Sequence, residues 1–142
     1  MNIEFIPNKG IEPLYFGKSI KDILKKYELE SYTFREKGSE YDNDLHMYTF
    51  KKLNSFTVFC EEDQCISSII CQQKCLYKGQ NLIGLSDDQI VELFGKPDNT
   101  DSQQVDNPPE LPQIIFYYEN FGMDIWFKYG LTVSVTIYNG LE

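Results

Sequence analysis

Gly84-Leu85-Ser86-Asp87-Asp88-Gln89-Ile90-Val91-Glu92-Leu93-Phe94-Gly95-Lys96-Pro97 reads as a helix with both ends written into the sequence. Ser86 is an N-cap that can accept from the backbone N–H of Gln89, and the Gln89 side chain can reach back to Ser86. Asp87 and Asp88 place negative charge at the positive end of the helix dipole. Gly95 suits the left-handed position past the last turn, and Pro97 prevents a restart. An earlier stretch, Gly17-Lys18-Ser19-Ile20-Lys21-Asp22-Ile23-Leu24-Lys25-Lys26-Tyr27, follows the same plan. Gly17 and Gly84 stand 67 residues apart (84 − 17), as do Ser19 and Ser86, and Ile23 and Ile90. The same shift lays Phe56-Thr57-Val58-Phe59 on Met123-Asp124-Ile125-Trp126, and Ile66-Ser67-Ser68-Ile69-Ile70 on Val133-Ser134-Val135-Thr136-Ile137. The agreement is one of residue class and element order more than identity, and it predicts a duplicated unit.

The expected fold is therefore α+β. Two tandem repeats, about residues 9–75 and 76–142, each carry a short helix followed by an antiparallel β-meander, with the helices on one face of the sheet. Together they form a single domain over residues 1–142, a length that suits one hydrophobic core. The first helix is expected from Ser19 to Leu29, with Ile20, Ile23, Leu24 and Tyr27 facing the core. Strands are expected near residues 2–6, 31–36, 47–50, 55–60 and 65–76, then 113–120, 123–128 and 131–138. Their connections are too short for crossovers, so neighbouring strands run antiparallel. Residues 98–112 are polar and hold Pro108, Pro109 and Pro112, which reads as a loop. In the last strand Leu131, Val133, Val135 and Ile137 alternate with Thr132, Ser134, Thr136 and Tyr138, which predicts one covered face and one open face.

Composition bounds the partners. The formal net charge of −9 opposes binding to nucleic acid or to anionic membranes, and favours a partner with a basic surface. Residues 1–16 lack a basic start followed by an apolar run, and no run is long enough to span a bilayer, so a cytoplasmic protein is expected. Cys60, Cys65, Cys71 and Cys75 have gaps of four, five and three residues, unlike the close pairs of zinc sites, and are read as reduced thiols. His46, the lone histidine, could act as a base only with an orienting partner; Asp42, Asp44 and Tyr48 are its sequence neighbours. Neither a nucleophile elbow, a P-loop nor a dinucleotide fingerprint occurs. No catalytic residue, metal or cofactor is assigned.

What remains is a surface. The alternation places Trp126, Lys128, Phe59 and Tyr138 on the open sheet face, rimmed by Glu61, Glu62, Asp63 and Asp124. Central aromatics with a charged rim have the chemistry of a partner-binding patch. The alternative packing for these aromatics is a second core layer or cross-strand stacking.

The helix that opens Gly-x-Ser and ends Phe-Gly-Lys-Pro, followed by a meander, resembles the repeat of the beta-lactamase inhibitor protein and of SmpA/BamE-like outer-membrane lipoproteins. Gly84, Ser86, Val91, Phe94, Gly95 and Pro97 carry the resemblance, with a weaker copy at Gly17, Ser19, Ile23 and Leu24. In the inhibitor two such repeats join, and a concave sheet face grips the target enzyme. The chain departs from that pattern in lacking the inhibitor's leader and repeat disulfides. By size and charge it also resembles bacterial immunity proteins, of the kind found in contact-dependent growth inhibition, which neutralise toxins. The resemblance implies a non-enzymatic antitoxin that binds and occludes a cognate toxin, a nuclease with a basic groove being the expected target. A small-molecule or enzymatic pocket near His46 and an accessory or scaffold subunit are the alternatives.

Overall fold

The computed structural model describes residues 4–38, 43–54, 56–103 and 112–141. The chain opens with a three-stranded ribbon of β1 (Phe5–Ile6), β2 (Gly10–Ile11) and β3 (Leu14–Tyr15), then α1 (Lys21–Lys26). Next come β4 (Leu29–Arg35), β5 (Leu45–Phe50), β6 (Thr57–Cys60) and β7 (Ile66–Cys71). A two-stranded ribbon of β8 (Leu76–Tyr77) and β9 (Gln80–Asn81) precedes α2 (Asp87–Phe94). The chain then forms β10 (Asn99–Gln103), β11 (Gln113–Tyr118), a 3-10 turn (Glu119–Phe121), β12 (Met123–Lys128) and β13 (Leu131–Tyr138). The eight long strands make one antiparallel sheet, in the order β10-β11-β12-β13-β7-β6-β5-β4.

This corrects the expected fold class. Half of the described residues are strand and 14% are helical, so the protein is mostly β, not a tandem helix-plus-meander α+β fold. The strands do not close into a sheet for each half. β13 pairs with β7 from Val135↔Cys71 to Tyr138↔Ser68, and this satisfies backbone groups that would otherwise line two free edges. The helices are one short turn-and-a-half and two turns, too little to form a layer of their own. They also start differently. Ser86 Oγ accepts from Gln89 N at 3.2 Å while Gln89 Oε1 accepts from Ser86 N at 2.9 Å, a complete capping box. At α1 the N-cap position is Ile20, with no side-chain cap, and Ser19 Oγ instead accepts from Lys21 N. Helix α1 is accordingly shorter than the sequence suggested, and Leu24 is exposed.

One sheet face is buried. Tyr48 and Phe50 of β5, Val58 and Cys60 of β6, Ile66, Ile69 and Cys71 of β7, Met123, Ile125 and Phe127 of β12, and Val135 and Ile137 of β13 pack in one cluster. Ile20 and Ile23 join from α1, Ile90 and Phe94 from α2, and Phe5, Ile11, Leu14 and Leu82 from the ribbons. Backbone bonds lock the helix approaches to the sheet: Ile66 N donates to Lys18 O and Gly84 N to Thr132 O, both at 2.9 Å.

Three local readings also change. The clean alternation of β13 is broken by a β-bulge: Trp126 pairs with Ser134 but Phe127 with Thr132, leaving Val133 unpaired. Thr132, not Leu131, is therefore buried, and its hydroxyl donates to Leu85 O at 3.0 Å. Leu131 is half-exposed. The strand expected over residues 65–76 ends at Cys71. The polar loop expected over residues 98–112 begins as edge strand β10, paired with β11 from Asn99↔Tyr117 to Gln103↔Gln113. Pro108 and Pro109 lie outside the described residues, as does Asp42.

Candidate functional site: the open sheet face and the acidic turn

Along β6 and β12 the sheet face away from the core is partly exposed among the described residues. In β12 Met123, Ile125 and Phe127 are buried, while Asp124, Trp126 and Lys128 between them are partly exposed. The same contrast holds in β6, where Val58 and Cys60 are buried and Thr57 and Phe59 are partly exposed. An antiparallel sheet with one packed face and one wet face shows this pattern.

Register gives the open face its composition. One row of cross-strand neighbours runs Tyr117, Asp124, Thr136, Ile70, Thr57 and Thr49. The next runs Tyr138, Ser68, Phe59, Met47 and Thr33. Tyr138 and Phe59, far apart in sequence, thus share a row with only Ser68 between them. The Tyr138 hydroxyl donates to Asp124 Oδ1 at 3.2 Å and ties this row to the first. Burial pushes the Asp124 carboxyl up from its ordinary range, the Tyr138 bond opposes that shift, and the Glu119 charge adds to it. The Tyr138 phenol is pushed up as well, first by burial and then by the Asp124 carboxylate.

The turn between β6 and β7 carries Glu61, Glu62 and Asp63, all exposed. Asp63 Oδ1 accepts from Cys65 N at 2.9 Å and Gln64 N donates to Glu61 O, which holds the turn in shape. An open pocket of about 300 Å³ joins this turn to the sheet face; Phe16, Glu61, Asp63, Ser67, Tyr138 and Asn139 are among its walls. A smaller depression of about 190 Å³ lies on the turn's other side, lined by Asn43, Glu61, Glu62 and Asp63.

Five of the eight residues singled out by sequence, Tyr138, Phe59, Asp124, Glu61 and Asp63, are brought together around this end of the sheet. Glu62 shares the turn. Trp126 is on the same face, two residues further along β12, about 7 Å from Asp124 at strand rise. It stands directly opposite Ile115, which is 1% exposed although it too belongs to the open face. Lys128 is about 13 Å from Asp124 along the strand, away from the acidic turn, and its ammonium lies over the Tyr129 ring at 5.8 Å. Phe16 and Asn139 were missed by sequence reading, whereas Ser67 was expected near Phe59 and Glu61 on the open face. Phe16 could not have been found, because that segment reaches the sheet through long-range backbone bonds, Gly17 N to Ile66 O and Ile66 N to Lys18 O. Ser67 is the residue left unpaired by the bulge between Phe59↔Ser68 and Cys60↔Ile66, and its hydroxyl donates to Phe59 O at 3.0 Å.

Comparison with known proteins finds no match. No protein-family model fits the chain, and no curated protein and no solved structure is significantly similar to it. The resemblance to inhibitor and immunity proteins gains no support from that quarter.

The other candidates from sequence are placed as follows. His46 lies on β5, among Tyr32, Phe34 and Tyr48, and its Nδ1 is 2.7 Å from the Tyr32 hydroxyl. Asp44 Oδ1 accepts from Lys37 N instead of orienting the imidazole. Cys60, Cys71 and Cys75 are buried, Cys65 is partly exposed, and all four are free thiols. Burial pushes the Cys60 thiol up to about 12, and burial with a Cys75 hydrogen bond pushes Cys71 up. Among the described residues no group of three or more His, Cys, Asp or Glu side chains is placed to hold a metal ion. No helix among them is long and apolar enough to cross a membrane.

Proposed function

We propose that this chain is a non-enzymatic inhibitor of the immunity-protein kind, which binds a toxin enzyme through the open sheet face and the acidic turn. The observation that carries the proposal is the pocket in which Glu61 and Asp63 meet Phe16 and Tyr138 at the edge of a partly exposed sheet face. Carboxylates beside aromatic walls suit a lysine or arginine side chain, which packs its stem on the rings and its charge on the acids. The net charge of −9 draws a basic partner from a distance, and contact at the sheet face then excludes water. Inhibition would be steric and electrostatic: the bound face covers the enzyme's basic groove and no bond is made or broken. A nuclease is the target class that such a groove implies.

The test is capture from the native cell on immobilised chain, followed by inhibition of the captured enzyme. A basic enzyme should be retained, and one equivalent of chain should silence it. A variant combining Glu61→Gln, Asp63→Asn and Tyr138→Phe should bind it at least about 100-fold more weakly, since central anchors and desolvated charges dominate interface energy. Retention of no basic protein, or equal retention by the variant, overturns the proposal.

A further inference from the structure

Asn139-Gly140 is the one Asn-Gly step in the sequence. Such a step is chemically weak. Glycine has no Cβ to shield its backbone nitrogen, and its conformational freedom lets that nitrogen reach the preceding side-chain amide. The fold nevertheless requires Gly140. A Cβ there would run into the Glu119 carbonyl and crowd Gly122 Cα, because the chain end crosses the 3-10 turn at backbone contact. Asn139 is partly exposed, so water and hydroxide reach it, and it stands in the wall of the pocket that holds Glu61 and Asp63.

Two hydrogen bonds hold the step. Gly140 N donates to Asn8 Oδ1 at 2.8 Å, which keeps the proton on the nitrogen that would attack. Leu141 N donates to Asn139 Oδ1 at 3.0 Å, which fixes the side-chain amide and draws electrons from its carbonyl carbon. The first bond restrains the reaction and the second primes the carbon for it. Asn8 is itself pinned. Its φ is +65°, a conformation that asparagine tolerates, and its Nδ2 donates to Asn120 O at 2.8 Å.

We propose that Asn139-Gly140 is a self-modification site that Asn8 restrains, and that its conversion adds a carboxylate to the wall of the acidic pocket. Hydroxide takes the Gly140 N–H proton once the bond to Asn8 opens. The nitrogen's electron pair then forms a bond to Asn139 Cγ, the Cγ–Nδ2 bond breaks, and ammonia leaves with a proton from water. Water opens the resulting cyclic imide at either carbonyl, which yields aspartate or isoaspartate. The balance is one water taken up and one ammonia released, with no oxidant, reductant or cofactor. Both products carry a negative charge in the pocket of Glu61 and Asp63. On the proposed function, from which this consequence follows, the added charge strengthens the hold on a basic partner.

The experiment follows intact mass and tryptic peptides of the full chain in mildly alkaline buffer, with isoaspartate detected by enzymatic methyl transfer. The wild type should gain the mass difference between water and ammonia, first in the peptide that holds Asn139. Asn8→Gly keeps the positive φ and removes both side-chain bonds. It should modify at least about tenfold faster, the factor that one net hydrogen bond carries. Asn8→Asp keeps an acceptor for Gly140 N and should stay within about threefold of the wild type. Ser86→Ala loosens the chain at the other end of β13, where Ser86 bridges Leu131, and should modify at the wild-type rate. First modification at another asparagine, an unchanged rate in Asn8→Gly, or an equal acceleration in Ser86→Ala overturns the site. These measurements need no partner, so they stand or fall apart from the proposed function. Asn139→Asp tests the consequence: it should bind the captured basic enzyme about threefold more tightly at low salt, and unchanged affinity overturns the effect on the pocket.

Discussion

Replacing Ser86 by Ala separates two helices that look alike in sequence. The Ser86 hydroxyl accepts from Gln89 N at 3.2 Å and closes a capping box whose other half is the 2.9 Å bond from Ser86 N to Gln89 Oε1. Without the hydroxyl, one N–H of the first turn of α2 loses its protein partner, and Gln89 loses half the reason for its conformation. Loss of a cap of this kind costs about 1 kcal/mol, within a range of roughly 0.5–2. For a chain of this length that lowers the melting temperature by about 3–5 °C. Helix α2 should survive, because Ile90 and Phe94 remain buried. Ser19→Ala is the matched control. Ser19 is not the N-cap of α1, which is Ile20; its hydroxyl accepts from Lys21 N at 3.2 Å, an exposed bond with no reciprocal half, so the cost there should be smaller, below about 0.5 kcal/mol. Ser86→Asp, a residue equally able to cap, should restore most of the loss. Urea unfolding at constant m-value is the assay. Equal losses at Ser86 and Ser19, or no loss at Ser86, would refute the reasoning.

Asp124→Asn should stabilise the protein near neutral pH, by circular dichroism melts, because it removes a charge that burial disfavours while keeping an acceptor for the Tyr138 hydroxyl. The pH dependence has a definite sign. Asp124 binds its proton more tightly when folded than when unfolded, so its contribution is most favourable below the unfolded carboxyl range and is lost as pH rises through the raised folded value. The wild type should therefore lose more stability than Asp124→Asn across that window, and parallel profiles would count against the assignment. Gly122→Ala should cost more than about 2 kcal/mol in urea titrations, since Gly122 has φ +64° and a Cβ there would run into the Tyr138 carbonyl and the Asn8 side chain. A near-neutral result would show that the chain end around Tyr138 is looser than described.

Which parts of the molecule were legible follows from how local their causes are. α2 was readable to the residue because capping is a matter of three or four neighbours: Ser86, Gln89 and Gly95 all do what their types allow. The open face was readable in β12 and β6, where alternation is unbroken. It failed in β13 at Val133, because the bulge depends on the partner strand and on the bonds from Thr132 to Leu85 O, which no pattern within residues 131–138 announces. β10 was invisible for a similar reason. Apart from Thr100, its five polar residues have little strand propensity, and they are held extended by β11 and by the bond from Glu119 N to Asp98 Oδ2 at 2.7 Å. The predicted tandem α+β architecture failed on the balance of elements: the chain is mostly strand, gathered in one eight-stranded sheet, and its two helices are too short to form a layer. Of the candidate site, the acidic turn and the aromatics were readable as residue types. Their meeting with Phe16 in one pocket was not, since it depends on contacts across the fold.

In the proposed complex the open face and the acidic turn do the binding. Hydroxyl-radical footprinting of the complex with the captured basic enzyme tests it most directly, because oxidation reports each side chain separately. Phe59, Tyr138 and Phe16 should be shielded on binding, while Leu24 of α1 and Val91 and Leu93 of α2, exposed in the free chain, should stay as reactive as before. Protection of the helix residues with Phe59 and Tyr138 unchanged would contradict the account.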